Sequence, residues 1–232
     1  VTIMIYDFHI PYHDPEKIKR VLENEKGNTR RLIIAGDYLN GSQISSYPQM
    51  IQENFQKEVG QGRVLLEQLA SIFDEVILMD DNHIHSRWNR YLANNLRPDT
   101  HFLAKHPYDF LVEGLKNVTR SCDSKRLELF SKDTGWFYQI GDAIFTHAEI
   151  SSSVEFKAVR RVEDWLKKWA PVLELGKVRF VAQAHNHKLG IYHDYDSAIA
   201  FTGCMVAMEA VGYSLGAHAA GGPPITGYIR LV

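Results

Sequence analysis

Five apolar runs in this chain end alike. "IMIYDFH" runs into Asp7 and His9, "LIIAGD" into Asp37, and "VILMDDNH" into Asn82 and His83. "AIFTH" ends at His147, and "RFVAQAHNH" at His185 and His187. Each run is short, unbroken and rich in Ile, Val, Leu or Phe, the pattern of a strand covered on both faces. Helical stretches separate the early runs and hairpins follow the later ones, which predicts an α/β fold with mixed sheets. In open sheets of this kind the carboxyl ends of the strands line one crevice, where ligands bind. The polar terminations therefore predict one site fed by five strands.

The punctuation between the runs supports that order. In "HDPEKIKRVLENEKG", Asp14 is a good N-cap, Pro15 takes the first helical position, Ile18, Val21 and Leu22 form the stripe, and Gly27 stops the helix. Residues 49–73 carry helical periodicity with a weak point at "GQG". "SRWNRYLANNLRP" reads as a helix closed by Pro98, and "HPYDFLVEGLK" as a shorter one. The rest of residues 99–135 is mixed in pattern and is expected to shape a substrate cleft. "WFYQIGDAIFTH" predicts two strands around a Gly-Asp turn. "SSSVEFKAVRRVEDWLKKWA" predicts an amphipathic helix with a serine N-cap, "LGIYHDYDSAIAFTG" a hairpin, and "GAHAAGGPP" a loop before a last strand, "TGYIRLV". No internal repeat or low-complexity linker interrupts residues 1–232, a length that suits a single domain.

A formal net charge of -2 argues against a broad electrostatic nucleic-acid surface, though not against a small phosphate cleft made positive by cations. Cys122 and Cys204 are far apart in sequence and form no CxxC, so a reducing cytoplasm is the expected setting. No apolar run approaches the ~20 residues of a membrane span. The opening "VTIMIYDFHI" lacks the basic region of a signal peptide.

A single histidine at a strand end is more often structural than a ligand; the ordered set changes that balance. On an extended chain His185 and His187 point to one side, where they suit one cation or two adjacent ones. Two aspartates, one asparagine and the histidines, without cysteine, form a borderline-to-hard donor set. Asp7, His9, Asp37, Asn82, His147, His185 and His187 are too many for one four-coordinate ion. They suit two divalent cations ~3.5–4 Å apart, with Asp37 as the bridge. Mn²⁺ is the first expectation, with Fe, Zn²⁺ and Ni²⁺ as alternatives.

The order D-x-H, G-D, N-H, H, H-x-H resembles the calcineurin-like metallophosphoesterase superfamily, and "DFHIPYHD", "AHNHKLG" and "TGCM" are similar to its small bacterial and phage-encoded members. The resemblance implies a four-layer α-β-β-α sandwich with two mixed sheets. It implies one metal on Asp7, His9 and His187, another on Asn82, His147 and His185, and Asp37 bridging them. The setting it implies is the cytoplasm of a bacterium or of a phage-infected host. Asp81 stands where the family has glycine before Asn-His, Ile84 where an acidic residue commonly follows, and Asn40 where the phosphatase branch has an aspartate. Asn40 can orient the His83 imidazole by a hydrogen bond but adds no charge.

The expected reaction is attack on phosphorus by a hydroxide shared between the metals, with His83 as general acid for the leaving oxygen. Arg87 and Arg90 are candidate phosphate contacts, as is Asn40; the plain reading of both arginines is a solvated helix face. The expected substrate is a phosphodiester of a nucleotide, DNA or RNA. A phosphomonoesterase or protein phosphatase is the near rival, and a catalytically weak scaffold of the same fold the distant one. His13, His85, His101, His106, His193 and His218 have no slot in the pattern, though His85 is the one expected to approach the site. Asp80 and Asp81 read as a charged turn, Tyr12, Tyr38 and Trp88 as packing residues, and Cys204 as a small buried residue.

Overall fold

The computed structural model describes residues 1–45, 53–121, 136–147, 152, 154, 156–207 and 225–232. The first sheet is built from β1 (Thr2–Ile5), β2 (Arg31–Ile34), β3 (Glu75–Met79), β4 (Val118–Ser121) and β10 (Ile229–Leu231). Its order is β10-β1-β2-β3-β4, with only β10 antiparallel to its neighbour. The second comprises β5 (Trp136–Ile140), β6 (Ala143–His147), β7 (Phe180–Gln183), β8 (Leu189–His193) and β9 (Ala198–Thr202), in the order β5-β6-β7-β9-β8. Here β6, β7 and β9 run parallel and the outer strands antiparallel.

Side-chain alternation explains the layering. Ile3 and Ile5 of β1 face outward with Leu32 and Ile34 of β2, into a core shared with α1 (Pro15–Glu25), α2 (Phe55–Ile72) and α4 (Pro107–Val112). Met4, Ile33 and Ile77 face the other way and pack on Phe145, Ala182 and Ala200 of the second sheet. Ile144, Val181 and Ile199 then meet Val159, Val162 and Leu166 of α5 (Lys157–Trp169). The result is the four-layer sandwich that the resemblance implies. Among the described residues no helix is long and apolar enough to cross a membrane.

Register brings the strand ends level. Ile5 is opposite Ile34 and Ile34 opposite Leu78, while Thr146 is opposite Gln183. The residues just beyond these positions therefore meet at one edge of the sandwich.

Several local expectations are corrected. The helix expected to open at Ser86 is α3 (Asn82–Asn95), so Asn82 and His83 lie in its first turn rather than on a strand end. Asp80 and Asp81 are not a charged turn, for both are buried. Asp81 caps α3 by accepting from the Ile84 amide at 2.8 Å. No serine caps α5: Phe156 precedes it in the left-handed region and makes no side-chain cap. The "GQG" stretch does not weaken α2, which runs unbroken from Phe55 to Ile72; the Gly62 carbonyl accepts from the Tyr38 hydroxyl at 2.7 Å. Within residues 99–135 the structure adds β4 and places α4. Residues 122–135, the "GAHAAGGPP" loop with His218, and the expected helical residues 49–52 lie outside the described residues.

Candidate metal centre

Two loops carry the first three candidate ligands. The loop after β1 holds Asp7 and His9, and the loop after β2 holds Asp37. They are bonded to each other: the His9 amide donates to the Asp37 carbonyl at 2.8 Å, the Ile10 amide to Tyr38 at 3.0 Å, and the Asn40 amide returns to Ile10 at 3.0 Å. His147 ends β6, and His185 and His187 follow β7.

Five of the candidate residues have left-handed backbone: Asp7 (φ 47°), His9 (48°), Asp37 (44°), His185 (74°) and His187 (52°). For residues with a side chain each such conformation costs on the order of 1–3 kcal/mol, and such strain gathers at functional sites. The same turns overturn the expectation that His185 and His187 point to one side of an extended chain. Because β7 stops at Gln183, His185 and His187 do not share one side of a strand; they diverge. The His187 ring lies 5.2 Å from that of His9, and the His185 ring 5.2 Å from that of His147.

The side chains converge around Asp37. Its Oδ2 lies 3.3 Å from His147 Nε2 and 3.6 Å from the Nε2 atoms of both His9 and His83. Asp7 places Oδ1 3.2 Å from His147 Nε2 and Oδ2 3.7 Å from His187 Nε2. His9 and His187 face each other, Nε2 to Nε2, at 3.2 Å. Two groupings compatible with a cation result, Asp7–His9–His187 and Asp37–His147–His185. His83 joins His9 and Asp37 in a third.

Electrostatics and unmet bonding fit a divalent cation. Burial pulls His9 and His185 down to about 4, against the pull of Asp37 on both, leaving the neutral imidazole that ligates metals. Burial also works against charge on Asp37 and His147. On Asp37 the attraction of His147 and His83 prevails and holds the carboxyl well below its usual range. On His147 the carboxylates of Asp37 and Asp7 prevail and raise the imidazole well above its own. Asp37 Oδ1 and Asn82 Oδ1 are buried acceptors without a hydrogen-bond partner. Each would cost about 1–3 kcal/mol if left unsatisfied, and a cation would satisfy both. The Nδ1 atoms of His9 and His147 are likewise without partners, so packing sets those rings. For His147 the reason is visible: a Cβ on Gly36, at φ 87°, would lie 2.3 Å from His147 Cδ2. Cys204 is buried, and burial first, then Asp7, pushes its thiol up to about 11, keeping sulfur out of the donor set.

Asp81, Ile84 and Asn40, the three departures from the resembled pattern, are all buried. Ile84 is fully buried and packs into the core beside Gly41. Asp81 also accepts from the Tyr108 hydroxyl, and burial, then the charge of Asp37, pushes its carboxyl up to about 8. No hydrogen bond joins Asn40 to His83, whose Nδ1 has no partner. The Asn40 carbonyl instead accepts from Nη1 of Arg87, so the Arg87 guanidinium is drawn onto the loop rather than left on a solvated face. Arg90 is exposed. Tyr38 is a buried packing residue, and Trp88 stacks on Tyr91 at 5.6 Å.

A neighbouring cluster, Asp80–His85–His106, has ligand-like spacing but different chemistry. Arg120 grips Asp80 through two bonds of 2.8 and 2.7 Å and also holds Asp109. His106 Nδ1 accepts from the Tyr108 amide, so in the neutral ring Nε2 carries the proton and has no lone pair for a metal. The cluster is an ion-pair support linking β3, β4 and α4. His85 belongs to it, 4.0 Å from Asp80, and not to the seven.

No protein-family model and no curated protein matches the chain. Solved structures do. Vacuolar Protein Sorting 29 from Cryptosporidium parvum shares 13% identity over 88% of this chain and 73% of its own, with a TM-score of 0.42. An archaeal phosphodiesterase shares 12% over 88% and 83%, with a TM-score of 0.40. A conserved Streptococcus pneumoniae protein described as a predicted phosphoesterase shares 13% over 88% and 72%, with a TM-score of 0.31. At these values no residue role passes from them to this chain.

Proposed function

We propose that the chain is a dimetal phosphoesterase acting on phosphodiesters of a nucleotide or nucleic acid. One observation carries the reading: Asp37, like Asp7, is a buried carboxylate facing histidines of both cation-compatible groupings, and of the two it is Asp37 that keeps an unpartnered oxygen. Asp7, His9 and His187 would hold one cation, Asn82, His147 and His185 the other, and Asp37 both, with Mn²⁺ as the first candidate. When bound, such cations supply Lewis-acid charge and an activated water.

The chain's own groups would do the rest. His83 is 12% exposed while Asp37 beside it is 1% exposed, so its Nε2 can reach both the site and an incoming substrate. Burial holds its proton affinity well below the usual imidazole value, with Asp37 opposing, so the proton it would give to a departing oxygen must be brought in by the negative charge of the bound phosphate. Arg87, one helical turn on, would take a phosphate oxygen. Asn40, lacking a carboxylate, adds no charge to His83; that favours the diester over the phosphoprotein reading.

The test begins with metal content after purification. Bis-p-nitrophenyl phosphate and p-nitrophenyl phosphate are then assayed with Mn²⁺, and single- and double-stranded oligonucleotides are incubated alongside. Diester turnover abolished by His185→Ala is the expected result. Preference for the monoester would replace the diester reading, unchanged oligonucleotides would remove nuclease activity, and metal-free, inactive protein would leave a binding scaffold.

A further inference from the structure

One peptide bond behind the site is held at both ends by charged side chains. The Asn40–Gly41 peptide donates its N–H to Oε1 of Glu58 at 2.6 Å, and its carbonyl accepts from Nη1 of Arg87. The peptide belongs to the loop after β2 that carries Asp37, Glu58 to α2 and Arg87 to α3. Glu58 is 1% exposed and occupies the apolar stripe of α2 with Gly62, Leu66 and Leu69.

A carboxylate in that stripe is costly to desolvate, and a neutral amide would satisfy a lone N–H as well. What a carboxylate adds, once ionised above about pH 7, is charge. The peptide dipole lies with its positive end on Glu58 and its negative end on the guanidinium, so all three groups attract in line. The fit is close: at Gly41, φ 64°, an added Cβ would lie 2.9 Å from Ile84 Cδ1 and 3.6 Å from Arg87 Cδ. Arg87 and His83 are four residues apart on α3 and share a face.

We propose that Glu58 is a positioning residue: through the Asn40–Gly41 peptide it fixes the Arg87 guanidinium beside His83, where Arg87 receives a phosphate oxygen of the substrate. This inference rests on the phosphoesterase reading. A free arginine carries about 2 kcal/mol of rotamer entropy, and ordering it beforehand lowers the cost of binding.

The test is a double-mutant cycle on inorganic phosphate binding to Mn²⁺-loaded protein at pH 8, where Glu58 is ionised, read by titration calorimetry. Glu58→Met, which cannot accept a hydrogen bond, is expected to weaken phosphate binding about tenfold, the loss of one charge-assisted contact. Glu58→Gln, which keeps the acceptor without the charge, falls between Met and wild type. Added to Arg87→Ala, Glu58→Met should cost nothing more, because its effect passes through Arg87. A residue that merely held the fold together would weaken the Arg87→Ala protein further. Additive losses, or full affinity in Glu58→Met, would overturn the proposal. If Glu58→Met does not fold, Glu58→Asp, one methylene too short to reach the Gly41 amide, takes its place with the same expectation. Protein that takes up no manganese sinks the metal-centre reading and this inference with it. Manganese uptake and wild-type phosphate binding with an additive cycle sink only the role of Glu58.

Discussion

Asp37 and His147 come from different sheets and meet with Oδ2 3.3 Å from Nε2. The contact joins the end of β2 to the end of β6, so the site spans the seam between the two sheets. Gly36 makes it possible, since its missing side chain admits the His147 ring. Replacing it with alanine forces a methyl group into that ring on a backbone at φ 87°. Overpacking alone costs about 1–3 kcal/mol, and the disfavoured φ adds to it. Gly36→Ala is therefore expected to lower unfolding free energy by at least about 2 kcal/mol in urea titration and to reduce bound metal. A variant with wild-type stability and metal content would mean that His147 is not held by this gap.

Glu58 gives a pH signature of its own. Burial raises its carboxyl from 4.5 to about 7, against the Gly41 amide and the charge of Arg87, with Glu53 adding slightly to the rise. The folded protein thus binds a proton more tightly than the unfolded chain. The resulting stabilisation is complete below the unfolded pKa of 4.5 and is lost as pH rises through about 7. The loss amounts to about 3 kcal/mol. Glu58→Gln removes this titration and no other, so the stability gap between wild type and variant should shift by about 3 kcal/mol in the variant's favour from pH 4 to pH 8. Urea unfolding at the two pH values measures it; a constant gap would show that Glu58 is not buried as an acid.

The sites of the metal candidates were legible because parallel strands place their carboxyl ends together whatever the loops do. Loop conformation was not legible in the same way. His185 and His187 read as neighbours on a strand, yet left-handed turns send His185 to His147 and His187 to His9. The true start of α3 was available: Asp81 as N-cap followed by Ile84, Trp88 and Leu92 is helical spacing, masked by the apolar run before it. Glu58 had a signal too, a charge in phase with Gly62, Leu66 and Leu69. Arg120 had none, because its partners Asp80 and Asp109 come from β3's end and α4, contacts that only tertiary packing creates.

His83 is the residue whose role a leaving-group series would isolate. It stands in the first turn of α3, its ring 4.7 Å from that of His9 and its Nε2 3.6 Å from Asp37. A group placed there can give a proton to an alkoxide leaving the phosphorus, a contribution of about 10²–10⁴ in rate. A p-nitrophenolate leaves without needing that proton. His83→Asn should therefore slow hydrolysis of alkyl diesters by about 10²–10⁴ while slowing p-nitrophenyl diesters far less, at equal metal content. Initial rates on both substrate classes decide it. An equal loss on both would make His83 a binding or metal-supporting group, because a proton donor must matter most where the departing oxygen is most basic.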